Sequence, residues 1–514
     1  MSKTIIIIGA GLAGLSAALQ AAENGCNVKL VSSFPSERSQ SVMAEGGINA
    51  ALNTKDENDS PEEHFTDTIK AACGLADPNA VWGMTQAAPE LVHWLLKLGV
   101  QFNMSGYDDV DLRNFGGQKK KRTAFAQSDT GKQIMTAMID AVRRKEASGM
   151  VERFSHHSFL TLRLCGNICC GCVIRDEYSQ ETVELPGDAV IVATGGMHGL
   201  FGNTTGSLSN TGEVTAELFR LGVPLANGEM IQYHPTTVKC GGKRMLISEA
   251  ARGEGGRLFA MKDGKQWYFM EEKYPELGNL MPRDITAREI WKVSHESEVF
   301  LDMTEISEEI ISNKLSGLAD DCMTYLHKDI RKEPVSVLPG IHYFMGGILV
   351  DEQHRTPIQN LCAAGECCAQ YHGANRLGGN SLLGALYGGR VAAKSACEQA
   401  DVVDLSCATQ IDFPPASQIS EIKQLNKVMQ ETMGVVRNEN TLLNGIQTVQ
   451  ALTGNLPLLG MAVLKSALAR KESRGAHWRE DYPKSNDDDY LKTTVARFDG
   501  KQIQISFVPV PERR

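Results

Sequence analysis

The stretch Thr4–Ser33, TIIIIGAGLAGLSAALQAAENGCNVKLVSS, decides the fold. Its four consecutive isoleucines are a β-branched run that reads as a strand entering a loop. A glycine loop, an alanine-rich helical stretch and a second β-branched run, Val28–Val31, complete a βαβ unit. Gly9, Gly11 and Gly14 fill the GxGxxG pattern between strand and helix. In that setting the first glycine permits the tight turn, the second lets a pyrophosphate approach the backbone, and the third permits close helix–strand packing. The acid expected about 20 residues further on, to bind an adenosine ribose, is missing. Ser32 and Ser33 end the second strand instead, which weakens the case for NAD, leaves FAD open and makes Ser32 a candidate cofactor contact.

Outward from this unit, DAVIVATGG (Asp188–Gly196) and LCAAGE (Leu361–Glu366) repeat the pattern of a strand stopped by glycine. One parallel sheet built from distant pieces of chain is therefore expected, with an inserted domain between them. The irregular segment Asp401–Pro415 reads as a linker. Beyond it, Ile419–Met433, Gly445–Leu452 and Leu458–Arg470 have helical spacing, and Phe498–Val510 reads as a hairpin turning at Asp499-Gly500.

Composition narrows the class. The 514 residues carry 52 Lys+Arg against 62 Asp+Glu, a net charge of −10, which argues against a chain built to coat nucleic acid or anionic lipid. The longest apolar run, Ile5–Leu15, is well short of the roughly 20 residues that span a bilayer, so no direct membrane insertion is expected. The start lacks a signal-peptide cleavage pattern, and a cytoplasmic location is expected. Thirteen cysteines without a secretion signal predict buried thiols rather than a disulfide framework. Cys165, Cys169, Cys170 and Cys172 surround Gly166-Asn167 and read as a hairpin, not a metal site; no metal is expected. The basic run Lys119–Arg122 reads as a solvated loop that could also face an electron-donor subunit.

Glycine-rich loops also carry His234 in QYHPT, Ser248, Glu249 and Arg252 in ISEAARGEGG, Arg283 in MPRD, His342 in HYFMGG and Arg376 in HGANRLGGNSL. Any one of these is more often structural than catalytic. Together they suit a small dianion, since two carboxylates removed from water need several positive or donor groups around them.

In order along nearly the whole chain, GAGLAG, RSQSVMAEGGINA, LRNFGGQKKKRT, DTGKQ, VATGG, QYHPT, SEAARGEGG, MPRDITARE, HYFMGG, AAGE, HGANRLGGNSL and ESRGAHWREDYP resemble the flavoprotein subunits of succinate dehydrogenase and fumarate reductase, a family that includes L-aspartate oxidase. The resemblance implies an α/β fold: a Rossmann-like FAD-binding domain in two parts (1–233 and 340–401), an inserted α+β capping domain (234–339), a C-terminal helical domain (415–492) and a C-terminal β tail (493–514). It implies FAD lined by Gly9, Gly11, Gly14, Ser32, Gly46, Gly47, Gly195, Glu366, Ser381 and Leu382. It places a dicarboxylate among His234, Ser248, Glu249, His342, Arg376 and Phe115. Arg283 matches the family's proton donor, and Glu249 and Arg252 its proton relay. Arginine is a poor acid, so that role requires rapid reprotonation. A separate iron–sulfur protein subunit is implied, with peripheral attachment to the cytoplasmic face of a membrane through partners.

Several residues depart from the family pattern. Gln40 in RSQSV stands where many relatives carry the histidine bonded to FAD, so non-covalent FAD and a bias toward fumarate reduction are expected. Glu45 points the same way, because a carboxylate beside the flavin would lower its potential. Phe344 replaces a small residue and is expected to reshape the pocket. Phe115 replaces the glutamate that in L-aspartate oxidase binds the substrate ammonium. The leading expectation is fumarate reduction to succinate; reduction of another enoate, L-aspartate oxidation and a non-catalytic assembly role remain as alternatives.

Overall fold

The computed structural model describes residues 2–106, 109–399, 413 and 418–514. Apart from Phe413, the expected linker 401–415 lies outside them. The opening stretch folds as read: β1 (Thr4–Ile8), α1 (Leu12–Glu23) and β2 (Asn27–Ser32). With β3 (Val151–Ser155), β4 (Ala189–Val192) and β5 (Leu361–Ala363) they form a sheet of order β5-β4-β1-β2-β3. Every pairing is parallel, with Ile5 opposite Ala189, Ile6 opposite Lys29 and Val190 opposite Leu361. Ile5, Ile6 and Ile7 are fully buried, as a strand covered on both faces requires. The sequence reading passed over β3, because Val-Glu-Arg-Phe-Ser lacks an apolar run; as an edge strand it needs none.

Two glycines show why the loop has its composition. Gly9 has φ +109°, and a Cβ there would stand 2.3 Å from the Ala193 carbonyl oxygen. A Cβ on Gly14 would stand 1.9 Å from the Gly9 carbonyl oxygen, so any side chain would push α1 off the sheet. Helix Asn380–Gln399 lies against α1, with Ser16 Oγ donating to the Leu386 carbonyl (2.7 Å).

The cap has its own antiparallel sheet, ordered Lys265–Trp267, Arg257–Lys262, Val299–Asp302, Val335–Ser336, and its own core of Leu258, Ile290, Leu301 and Val335. A long antiparallel pair, Ile231–Cys240 with Leu338–Phe344, joins it to the FAD-binding part. The helical region consists of Ile419–Thr432, Glu439–Val449 and Asn455–Ala469. The second helix starts six residues before its expected position because the Asn438 side chain caps it, accepting from the Thr441 N–H. The terminal hairpin also starts earlier, at Lys492–Phe498 paired with Ile503–Pro509, and it is not free-standing. Thr494–Ala496 is buried and pairs with Leu225–Ala226, adding the hairpin to a five-stranded sheet.

The cysteine hairpin is present: His157–Cys165 pairs with Ile168–Asp176 about Gly166-Asn167. Eleven described cysteines are free thiols, and Cys165 is disulfide-bonded. The basic run is not uniformly solvated either. Lys119 and Lys121 are exposed, but Arg122 is fully buried and ion-paired to Asp59 (2.8 Å) and Asp67 (3.0 Å).

Candidate active site

The parallel-sheet part and the cap together line a cavity of about 510 Å³. One wall is the glycine side. α1 starts at Gly11, which offers no side-chain cap, and its first turn carries no acid. The Leu12 N–H donates to Ser41 Oγ (3.2 Å), and the positive dipole end of the helix faces the cavity, where it favours an anion. A Cβ on Gly11 would find nothing nearer than the Ser41 hydroxyl at 3.5 Å, so this glycine, unlike Gly9 and Gly14, faces room. Ser32, Gly46, Gly47, Gly195, Glu366, Ser381 and Leu382 line the same cavity. Gly14 does not, since its position serves helix packing. A long cavity with bare backbone at a helix N-terminus fits the pyrophosphate of FAD. Gln40 lines the cavity too, its Oε1 accepting from the Ser207 N–H (2.6 Å).

The opposite wall carries charge. Ser248 caps the short helix Glu249–Gly253, and the helix Arg283–Val293 begins at Arg283 itself. Glu249 Oε2 accepts from Arg283 Nε (2.8 Å) and Nη2 (2.6 Å). Glu249 Oε1 accepts from Arg252 Nη2 (3.3 Å) and the Gly116 N–H (3.2 Å). Burial works to raise the Glu249 pKa, but Arg283 and Arg252 prevail and hold it below the usual carboxylate value. Arg252 lies behind Glu249, off the cavity surface, and donates from Nη1 to the Asn279 carbonyl (2.6 Å).

Arg376 is buried with no ion-pair partner among the described residues, and its Nε has no hydrogen-bond partner. Its guanidinium lies 4.2 Å from the Tyr343 ring centroid. Burial, then the nearby Arg283, lowers its pKa to about 9. His234 and His342 sit with ring centroids 5.1 Å apart on the long strand pair. Pairing skips from Gln232–Tyr343 to Tyr233–Ile341, which makes His342 the extra residue of a bulge and re-aims its side chain. Burial and then Arg283 push both histidines well below their ordinary pKa, so they are neutral donors at pH 7. His342 Nδ1 lies 2.8 Å from the Thr205 hydroxyl, and His234 Nε2 has no partner.

Every site residue named from the sequence lines this cavity except Gly14 and Arg252. Two others depart from expectation. Phe344 does not line it; the ring packs on His198 (5.0 Å) and Phe201 (5.5 Å) in the apolar core, while its N–H donates to the cavity-lining Glu366 (3.0 Å). Glu45 lines the cavity, but burial, followed by Asp321, raises its pKa to about 8, so at neutral pH it is not the carboxylate the sequence reading supposed. Sequence reasoning missed Gln232, which accepts from Arg283 Nη1 (3.1 Å) and donates to the Arg376 carbonyl (2.8 Å), along with Tyr343, Thr205 and the Gly116 N–H. Gln232 and Tyr343 adjoin residues already singled out; nothing in the sequence marks Thr205.

The family model described as FAD binding domain matches residues 4–382, and the one described as Fumarate reductase flavoprotein C-term matches residues 452–513. The chain is 38% identical to the succinate dehydrogenase flavoprotein subunit of Bacillus subtilis, covering 100% of this chain and 98% of that one. This chain belongs to the succinate dehydrogenase/fumarate reductase flavoprotein family. It is also 32% identical to the 8-methylmenaquinol:fumarate reductase flavoprotein subunit of Wolinella succinogenes, covering 100% and 92%. A mutant of E. coli quinol fumarate reductase FrdA superimposes with a TM-score of 0.90 at 27% identity, covering 99% of this chain and 97% of that one. The protein is accordingly an FAD-dependent oxidoreductase of this type, with the FAD-binding, capping and C-terminal helical parts of that fold. No described helix is long and apolar enough to cross a membrane.

Proposed function

We propose that the protein interconverts fumarate and succinate, with a bias toward fumarate reduction. The observation that carries this reading is the proximity to one cavity of Arg376, a buried cation with no ion pair among the described residues, and Arg283, a cation backed by Glu249 and Arg252. Arg376 and the neutral donors His234 and His342 hold the two carboxylates. They leave the alkene beside Arg283, with the reacting groups fixed before the step begins. The glycine wall would hold FAD non-covalently, and the flavin would supply the hydride chemistry at one alkene carbon. Arg283 gives a proton to the other carbon, and Glu249 returns one to it from Arg252. The balance is fumarate plus hydride plus proton to succinate, with both electrons entering from an iron–sulfur partner subunit. Residues 234–339 act as a cap that excludes water. The partner complex would hold this subunit at the cytoplasmic face of a membrane.

The bias toward reduction rests on Gln40, which cannot bond FAD covalently, while the Glu45 argument applies only above about pH 8. Phe115, apolar and lining the cavity, disfavours the ammonium of an amino-acid substrate. The test is anaerobic oxidation of a reduced viologen by the FAD-loaded protein, with fumarate and without it. Fumarate-dependent turnover is expected; its absence in protein that retains FAD would overturn the assignment and shift it to another enoate. Yellow colour left in an acid-precipitated pellet would overturn non-covalent attachment.

A further inference from the structure

The helix that begins at Arg283 is held at a second point, outside the cavity. Arg288 lies five residues on, with its guanidinium carbon 4.0 Å from the Trp478 ring centroid. At 3.6 residues per turn the two arginines project about 140° apart, so Arg283 reaches the cavity while Arg288 reaches the C-terminal region. Arg288 forms no ion pair among the described residues. Of the acids on its own helix, Glu289 is paired with Lys273 and Lys292, while the pKa of Asp284 is raised by burial, an effect that Arg288 opposes.

Trp478 rests on a stiff base. Its carbonyl accepts the Arg437 N–H (2.9 Å). The flanking His477 and Arg479 are fully buried, the first 2.9 Å from Arg437 Nη1 and the second bonded through Nε to Asp481 (2.7 Å). A flexible cationic side chain on the cap thus meets an immobilised aromatic face on the C-terminal region.

We propose that Arg288 and Trp478 form a clasp that fixes the rotation of helix Arg283–Val293 and so positions Arg283 for proton transfer. Neither residue touches the cavity; both are positioning residues. The inference rests on the reading of Arg283 given above. A cation–aromatic contact of this kind is worth a factor of about 2 to 30 in an equilibrium, enough to set the orientation of one helix without deciding whether the protein folds.

The test uses the FAD-loaded protein with Trp478→Leu, Trp478→Phe, Arg288→Met and the Trp478→Leu/Arg288→Met double variant. Viologen–fumarate kinetics and amide hydrogen exchange over residues 283–293 are measured in each. Trp478→Leu should lower kcat about tenfold with KM changed less than threefold, because Arg376, His234 and His342 lie off this helix. Exchange over 283–293 should rise in step. Trp478→Phe, which keeps an aromatic face, should recover most of both, and the double variant should be no worse than Trp478→Leu. Arg288→Met reaches the same contact from the cap if the tryptophan variants fold poorly. Unchanged exchange, faster exchange with unchanged kcat, or additive losses in the double variant would each overturn the clasp. A wild-type protein inert toward fumarate whose helix still loosens in both single variants would instead count against the assignment of the site while leaving the clasp in place.

Discussion

Arg283, Glu249 and Arg252 beside the cavity, and Arg470, Glu472 and Arg474 beneath the terminal hairpin, are two buried networks made from the same residue types. They differ in what is left over. Arg470 donates to Glu229 and Glu472, to the Tyr490 and Lys492 carbonyls and to the Thr494 hydroxyl, using its whole donor set at 2.7–2.8 Å. Glu472 also accepts from Arg474 and from the Asn486 N–H. At the cavity, by contrast, Arg376 Nε and His234 Nε2 have no partner among the described residues. A buried donor left unpaired costs stability, on the order of 1–3 kcal/mol. Two such donors facing one cavity make sense where an anion completes them. The Arg470 network has every donor of Arg470 in use and leaves over only an acceptor, Glu229 Oε2, and it locks a fold; the cavity network leaves over donors and awaits a ligand.

Substitutions should separate the two. The largest effect is expected for Arg283→Ala, which removes the proton donor. Fumarate-dependent kcat should fall at least 10³-fold, about 4 kcal/mol of barrier, while the flavin absorbance of purified protein stays near one FAD per chain. Turnover within tenfold of wild type would show that this network does not carry the proton.

Arg470→Met should reverse the pattern. It leaves Glu229 and Glu472 as buried acids short of a partner, and breaking such a pair costs roughly 3–5 kcal/mol. Thermal unfolding should move down by several degrees, with kcat per bound FAD nearly unchanged. A selective loss of kcat at constant stability would erase the distinction between the networks.

Glu249→Gln is a smaller change at the cavity. The amide can still accept from Arg283 but cannot relay a proton, so kcat should drop on the order of 10²-fold with the affinity for a dicarboxylate inhibitor largely kept. Equal losses in kcat and inhibitor binding would mean that Glu249 serves only to hold Arg283 in place.

How much of this was readable beforehand follows from which constraints are local. The βαβ unit is written in Thr4–Ser33 because strand burial, the glycine turn and helix packing all act within 30 residues. The edge strand β3 and the docking of the terminal hairpin are not legible there, since both take their pairing from remote chain. The site residues were legible as chemistry in glycine loops, but the state of that chemistry was not. Phe344 and Glu45 illustrate this. A side chain's direction and a carboxyl's pKa depend on what distant segments, here His198 and Asp321, bring beside it. The two arginine networks looked alike in sequence for the same reason: ESRGAHWREDYP and SEAARGEGG list donors and acceptors without saying which are satisfied.

Glu45 supplies the smallest predicted effect and places an acid on the unsatisfied side of the comparison. Its Oε2 is buried without a hydrogen-bond partner, and burial followed by Asp321 raises its pKa to about 8, Asp129 adding to the rise while Arg113 and Ser248 oppose it. An acid whose pKa is higher in the folded than in the unfolded chain holds its proton better when folded. Its contribution to stability is therefore fully present below the unfolded value of 4.5 and is lost as pH rises to about 8. Glu45→Gln, which cannot ionise, should melt close to wild type at pH 5 and above it at pH 9, by a few degrees. The same variant should flatten any change in the flavin midpoint potential between pH 7 and 9, because in wild type the new negative charge appears beside the cofactor only in that window. A Glu45→Gln protein less stable than wild type at pH 9 would mean that the carboxylate is paired there, and that this wall of the cavity resembles the satisfied network after all.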